Sequence, residues 1–526
     1  MIETALGSNS DFTAPHRTTT KIGADVLDGG GTAVEAMVAA AAAIAVVYPH
    51  MTGIGGDGFW LIHRQGKALL AISACGQAAE LATLEWYAGQ GHRDTIPTRG
   101  SLAAVTMLGT VGGWQATLAL VEEGKQSPLA DLLPPPIELA IRGITVTRNL
   151  SATAEEKIDD LSIAPGFADM NLTDCQAPRP EDSLVQAALG ATLSANDGAE
   201  SYYCGDIART HTRFLEAQGN PLRSSDFEGY SAELPTPLTV TTFLGTLDNV
   251  GPPTQGMSSL AIPGVFDRLG VKQGESVEHF LGLVEAIKQA FIVRNAELGD
   301  PAAMRALAPV FLANDLLDLM AAAFEREKAL PWPNETKPGD TVWMGAADRE
   351  GTVVSFIQNI FREFGSGLTC PETGVVLQNR GAGFTLTGWP NKLSLGKRPF
   401  HTLNPALAVL NDGRVMSYGT MEGEGQPQTQ AAVFSRFVQF GKSLQEAITH
   451  KRWLLGKTWG DDTASLKLEA DFDPSLVARF RAAGHEGETI CDYSSLIGHA
   501  GAVVRHPNGM IEAANDPRSD GLAYAA

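Results

Sequence analysis

The sequence predicts a layered α/β protein in which antiparallel hairpins are covered by helices. Three observations predict it. Small and apolar residues recur at helical spacing from about Thr18 to Val47, and an Ala/Leu-rich helical pattern runs from about Ala104 to Phe324. The run Ala329–Asp340, with three prolines, breaks that pattern and reads as an exposed linker. Beyond it the hairpin signals begin. Thr341–Ala347 and Thr352–Gln358 flank Asp348-Arg349-Glu350-Gly351, and Ala406–Leu410 and Arg414–Tyr418 flank Asn411-Asp412-Gly413. Ala502–Arg505 and Met510–Ala513 flank Pro507-Asn508-Gly509. A doubly wound parallel sheet would instead alternate strand and helix along the whole chain.

The elements follow in order. Thr18–Val47 is expected to be helical. Its longest apolar stretch, Ala36–Val47, is too short to span a bilayer and reads as a buried core helix. After Pro49, Phe59–His63 and Ala68–Ile72 are expected as strands joined across Arg64–Lys67. Helices are expected at Leu102–Glu123, Glu138–Arg142, Asp182–Leu193, Asp206–Ala217, Val277–Leu298 and Leu312–Arg326. One strand, Leu238–Leu244, interrupts them before the turn-rich run Gly251–Gly256. In the back half, Gln428–Gln439, Leu444–Arg452 and Pro474–Ala483 are the expected helices.

Composition narrows the function. With 526 residues, 44% apolar and 19% charged, the chain has ordinary globular usage and enough apolar residues for a sizeable core. A formal net charge of −21 repels phosphate backbones, which argues against nucleic acid as a partner. A small anionic substrate would need a local positive group to hold it against that field. The five cysteines are odd in number and form no CxxC pair, so neither a disulfide framework nor a zinc site is expected. A reducing, cytoplasmic location is the expectation. The opening residues, MIETALGSNSDF, lack the basic and apolar regions of a secretory signal, and no membrane association is expected.

Gly53-Ile54-Gly55-Gly56-Asp57-Gly58 satisfies G-x-G-x-x-G, but a helix precedes it and a strand follows, the reverse of a dinucleotide site. These glycines are read as a tight turn where backbone meets backbone. No GxxxxGK[ST], HExxH or G-x-S-x-G occurs, and the histidines show no metal-ligand spacing.

Thr341 stands apart. A threonine opening a strand is ordinarily just a good β-former. This one follows the linker and opens a hairpin. If the bond after Asp340 is cut, Thr341 carries both a hydroxyl and a free α-amine, whose reference pKa is about 7.7–8.0. One residue then supplies nucleophile and base, and the same hydroxyl could cut the chain by attacking the preceding carbonyl.

The motifs GGTAVEAMVAAAAAIAVVYPHMTGIGGDGFWLI at Gly30–Ile62, PPTQG at Pro252–Gly256 and DTVWMGAADREGTVVSF at Asp340–Phe356 resemble the γ-glutamyltranspeptidase family of N-terminal-nucleophile hydrolases. FGSG at Phe364–Gly367, KRPFHTLNPALAV at Lys397–Val409 and DPRSDG at Asp516–Gly521 extend the likeness in the same order. It implies a four-layer αββα sandwich, self-cleavage between Asp340 and Thr341, and Thr341 as nucleophile. The large chain would be residues 1–340 and the small chain 341–526. The two would remain associated, with a dimer of heterodimers open as the assembly. No cofactor is required.

The chain departs from the family's pattern where substrate is held. The acid that receives an α-amine is replaced by Gly383, within Gln378-Asn379-Arg380-Gly381-Ala382-Gly383-Phe384. His401 and Thr402 replace paired serines, Leu84 stands where a carboxylate-binding arginine is expected, and Asn359 replaces a supporting threonine. Arg380 offers a planar fork suited to a carboxylate, and it could equally be a structural ion-pair residue. Together with PTRG at Pro97–Gly100 and GTMEGEGQPQTQ at Gly419–Gln430, these features resemble a cytoplasmic branch of the family that includes oxamate-hydrolysing enzymes of purine catabolism.

The expected substrate is therefore a small carboxylated amide, hydrolysed through a Thr341 acyl-enzyme. Backbone N–H groups of Glu422-Gly423-Glu424, where the resemblance places adjacent glycines, are the candidate oxyanion hole. Arg380 would anchor the carboxylate, with His401, Thr402 and Asn359 positioning the amide. Two other activities stay open: a γ-glutamyl hydrolase or transpeptidase acting on glutathione-like substrates, and an acylase for a larger carboxylated amide. A non-enzymatic binding body is the remaining alternative.

Overall fold

A computed structural model of the chain describes residues 3–122, 124–332, 339, 341–456 and 465–526. Two antiparallel sheets dominate it. The six-stranded sheet uses β2 (Asp11–Ala14), β3 (Asp57–His63), β4 (Leu70–Ala74), β7 (Val342–Ala347), β8 (Val353–Asn359) and β13 (Leu522–Ala525), in the spatial order β13-β2-β7-β8-β3-β4. The seven-stranded sheet uses β1 (Ala5–Gly7), β5 (Leu238–Thr242), β6 (Gly245–Asn249), β9 (Ala406–Leu410), β10 (Val415–Thr420), β11 (Ala500–Arg505) and β12 (Ile511–Asn515), in the order β1-β12-β11-β10-β9-β6-β5.

Three apolar clusters mark the three interfaces of a four-layer αββα sandwich. The first joins α1 (Arg17–Asp28), α2 (Ala33–Val47) and further helices to one face of the six-stranded sheet, through Trp60, Met344 and Phe356. The second lies between the sheets and holds Phe59, Trp343, Ile357, Leu407 and Val503. The third joins α3 (Gly256–Leu269), α4 (Val277–Glu297) and α5 (Gly425–Phe434) to the seven-stranded sheet. The period of two is visible along β7: Val342, Met344 and Ala346 face the helices, and Trp343 and Ala347 face the other sheet. Because both faces are covered, every residue of β7 and β8 is buried. Gly419 and Gly501 on the opposite sheet leave room for Trp343, whose ring lies 2.2 Å and 2.5 Å from where their Cβ atoms would sit.

The helix expected at Thr18–Val47 is two helices. Gly29-Gly30-Gly31 ends α1, with Gly30 at φ 89°, and Thr32 restarts the chain as the cap of α2 in a capping box with Glu35. α2 is a buried core helix, as its composition indicated, and no helix among the described residues is long and apolar enough to cross a membrane. The helix expected at Leu102–Glu123 is shorter, Thr110–Leu118. Several elements went unforeseen, among them strands β1, β2, β6 and β13, the helix Arg148–Leu161, and helix α3, whose internal Pro263 masks its periodicity. The strands of the three hairpins foreseen after the linker are present, with ends moved by one or two residues.

Both sheets draw strands from either side of the 340/341 boundary. β2, β3 and β4 pair into one sheet with β7, β8 and β13, so the described residues on either side of position 341 share sheets and cores. Asp340 and most of the linker lie outside the described residues.

The glycine run before β3 is a backbone-to-backbone contact and not a nucleotide loop. A Cβ on Gly55 would meet the Val376 carbonyl oxygen at 2.1 Å, and one on Gly56 the Asn359 carbonyl oxygen at 1.8 Å. Gly56→Ala is therefore expected to prevent folding to a soluble product, measured as yield and far-ultraviolet circular dichroism; wild-type yield and spectrum would contradict this close approach.

Candidate active site

The strand register builds the centre of the site. Gln358 on β8 pairs with Val342 on β7, and Asn359 pairs with Asp57 at the start of β3. Thr341 lies one residue before Val342, so Thr341, Asn359 and Asp57 form a row across three strands. By the alternation, each shares the face of Trp343, Ile357 and Phe59, which is the face turned to the second sheet. The Thr341 hydroxyl donates to the Gln358 carbonyl at 3.0 Å.

Arg380 comes to this row from a 3-10 turn, Arg380–Gly383. Gly381 N–H donates to Ala103 C=O at 3.0 Å, and a side chain at 381 would strike that carbonyl, so the turn is pinned to the neighbouring loop. The guanidinium is fully buried, lies 4.0 Å from the centre of the Phe361 ring, and donates through Nη2 to Asn359 Oδ1 at 3.0 Å. Its Nε and Nη1 have no hydrogen-bond acceptor among the described residues. Burial lowers its pKa to about 10, against the pull of Asp57, so it stays a cation at neutral pH. Gly383 sits beside it: a Cβ there would be 3.8 Å from Arg380 Cδ and 3.3 Å from Pro399 Cβ and from the Phe400 carbonyl oxygen.

His401 and Thr402 come from the segment just before β9. His401 Nε2 is 3.6 Å from Asp57 Oδ2, and its ring stands edge-on to Phe59. Burial, with Arg380 and Arg398 nearby, lowers its pKa well below the usual imidazole value, so it is neutral. Neither ring nitrogen of His401 nor Thr402 Oγ1 has a hydrogen-bond partner among the described residues. Gly339, two residues before Thr341, packs here: its Cβ position is 2.7 Å from Thr402 Oγ1 and 3.4 Å from the Phe361 ring.

The turn 422–424 is held next to Thr402 by one amide. Gln255 Nε2 donates to the carbonyls of Thr402, at 2.5 Å, and Gly423, at 2.6 Å. Arg294 in turn donates to Gln255 Oε1 at 3.0 Å and forms a fully buried ion pair with Glu424. Glu424 thus meets Arg294 through Oε1, while its Oε2 has no hydrogen-bond partner among the described residues. Glu422 at φ 84° and Gly423 at φ 29° turn the chain, and the N–H groups of Gly423 and Glu424 have no acceptor among the described residues.

Sequence reasoning missed Asp57, Gln378, Gln255 and Arg294 as parts of this assembly. Asp57 is fully buried and accepts from Gln378 Nε2 at 3.2 Å through Oδ1, while its Oδ2 has no hydrogen-bond donor among the described residues. Burial raises its pKa to about 7, opposed by Arg380, by Gln378 and by the N–H groups of Gly76 and Gly109. An acid inside a glycine run at a strand edge was the available signal. Arg294 ends a long helix and carried none. Leu84 packs half-buried against the first core and brings no polar group to the site. A cleft of about 420 Å³, lined in part by Cys75, Met107, Tyr230 and Arg398, adjoins the cluster through Cys75 and Arg398.

The whole chain superposes on a solved acylase structure. A cephalosporin acylase from Bacillus halodurans matches with a TM-score of 0.92 at 27% identity, covering 100% of this chain and 97% of that one. This fold, with the strand-opening threonine and its buried polar row, defines an N-terminal-nucleophile hydrolase acting on amides. The Gamma-glutamyltranspeptidase family model matches residues 19–526, and the chain belongs to that family. It is 48% identical to the oxamate amidohydrolase proenzyme of Klebsiella pneumoniae subsp. pneumoniae over 97% of both chains. It is 36% identical to a glutathione hydrolase-like proenzyme of Bacillus subtilis over 99% of both.

The buried pair beneath the oxyanion candidates yields a stability prediction. Glu424→Gln leaves Arg294 without its anion, a loss of about 3–5 kcal/mol for a broken buried pair. The thermal midpoint is expected to fall by several degrees, and an unchanged midpoint would show that the pair does not support the turn.

Proposed function

We propose that the protein cleaves itself between Asp340 and Thr341, and that the freed Thr341 then hydrolyses oxamate to oxalate and ammonia. In the precursor, Thr341 Oγ attacks the Asp340 carbonyl carbon. The C–N bond breaks to leave an ester and the free Thr341 α-amine, and water hydrolyses that ester to the Asp340 carboxylate and the Thr341 hydroxyl. In turnover the amine takes the hydroxyl proton, Oγ attacks the amide carbon, and the Gly423 and Glu424 N–H groups stabilise the oxyanion. Ammonia leaves with the transferred proton, and water hydrolyses the oxalyl ester. Nucleophile and base both come from Thr341, so the scheme needs no cofactor.

The observation that carries the substrate is Arg380. It is a fully buried cation beside Asn359 in the Thr341 row, with two donor atoms unspent among the described residues. Such a group suits a carboxylate. Gly383 supplies no acid for an α-amine, which disfavours a γ-glutamyl substrate. The relative of Klebsiella pneumoniae named for oxamate, 48% identical, points the same way.

Every side chain of the site is buried in the uncut chain, and Gly339 packs on Thr402, so self-cleavage would also open the substrate path. The shared sheets would keep the two chains together, and a dimer of heterodimers is the proposed assembly. The five free cysteines fit a cytoplasmic enzyme, and oxamate hydrolysis would place it in purine degradation.

The test compares oxamate with γ-glutamyl-p-nitroanilide. Higher kcat/KM on oxamate is expected, and a clear preference for the γ-glutamyl compound would sink the reading. Arg380→Ala should still cleave but raise KM for oxamate about 10- to 100-fold, the worth of a charged hydrogen bond of about 1.5–3 kcal/mol. An unchanged KM would remove Arg380 from substrate binding.

A further inference from the structure

The buried row beside Thr341 contains a carboxylate that the hydrolysis above does not use. Asp57 pairs in register with Asn359, the residue that receives Arg380. Its Oδ2 faces His401 Nε2 at 3.6 Å with no hydrogen-bond donor among the described residues. Among those residues Arg380 forms no direct ion pair, although its charge acts on Asp57 and Asp57 acts on it. One buried cation therefore stands beside one buried carboxylate.

Adding a substrate carboxylate to this space changes the balance. Arg380 is the cation of the row and His401 is neutral, so an ionised Asp57 together with an anionic substrate would leave one uncompensated negative charge away from water. Such a charge is costly, and a titratable group ordinarily neutralises instead. We propose that Asp57 takes up one proton when an anionic substrate binds at Arg380, so that this side chain couples substrate affinity to pH. The inference rests on Arg380 being the carboxylate anchor. The proton comes from solvent on binding and returns to solvent when product leaves.

The groups facing Asp57 allow this. Arg380 and Gln378 come from the 378–383 segment, His401 from the segment before β9, and the N–H groups of Gly76 and Gly109 from the loops after β4 and before the helix Thr110–Leu118. Cys75, Tyr203 and Tyr230 also feel its charge, and burial raises all three, so they stay protonated near neutrality. Arg398 acts on His401 and helps keep it uncharged. Asp57, raised by burial to about 7, is the proton acceptor of the cluster, with His401 and the freed Thr341 amine as its competitors.

The test is calorimetric titration of the cleaved wild-type enzyme with oxalate, which carries two carboxylates and no scissile amide. Titrations in buffers of different ionisation heat count the protons taken up. Uptake should be small at about pH 6 and approach one proton at about pH 8, with affinity falling about tenfold per pH unit above about pH 7. Asp57→Asn should still cleave, bind oxalate with an affinity independent of pH, and take up no proton. Persistent uptake in that variant would assign the proton to His401, to the Thr341 amine or to the oxalate itself and overturn the proposal. Binding without uptake in the wild type, or affinity that rises with pH, would overturn it too. No oxalate binding at any pH would instead sink the Arg380 anchor itself. Should Asp57→Asn fail to fold, difference infrared spectroscopy of the wild type decides: a new protonated-carboxyl band on oxalate binding that does not shift with carbon-13-labelled oxalate supports the proposal, and its absence refutes it.

Discussion

Because Gly55 and Gly56 carry no Cβ, the loop that leads into β3 lies directly against the carbonyls of Val376 and Asn359. That approach sets the level at which β3 meets β8, and so places Asp57 opposite Asn359. It also holds Gln378, whose N–H donates to Gly55 C=O at 3.0 Å, two residues before Arg380. The row of Thr341, Asn359 and Asp57 and the cation above it all inherit their positions from this contact. Thr341 needs that setting, since a hydroxyl at a strand end has no chemistry of its own until an amine, an oxyanion site and a bound carbonyl surround it.

Electrostatics then decides what the site accepts. The chain as a whole carries a formal charge of −21, which repels anions at long range, and the site answers with one buried arginine. At short range and in low dielectric the local cation outweighs the screened surface charge. A second buried arginine, Arg294, is fully matched by Glu424 and serves to fix the turn at Gly423. Both meet an amide oxygen and an aromatic face, and they differ because Arg294 also meets a carboxylate at contact distance whereas Arg380 has no ion pair among the described residues.

Much of this was legible in the sequence because it is written locally. The linker, the hairpin turns and the alternation along β7 and β8 reveal a strand that begins at Thr341. The glycine run preceding a strand, and not following one, marks a structural turn. The exchange of an acid for Gly383 and the presence of Arg380 are matters of residue type at motif positions. What could not be read depends on distant segments meeting. Asp57 and Arg380 are more than three hundred positions apart, and only the register of β3 with β8 joins them. Gln255 and Arg294 support the 422–424 turn from helices with no polar pattern of their own, and Pro263 hid α3 by breaking its helical signature.

The most direct test of the account is intact-mass analysis and N-terminal sequencing of the purified protein. The account predicts two associated chains, the smaller beginning Thr341-Val342-Trp343. A single uncut chain that hydrolyses an amide at full rate would contradict it, because Thr341 would then have no free amine to act as its base.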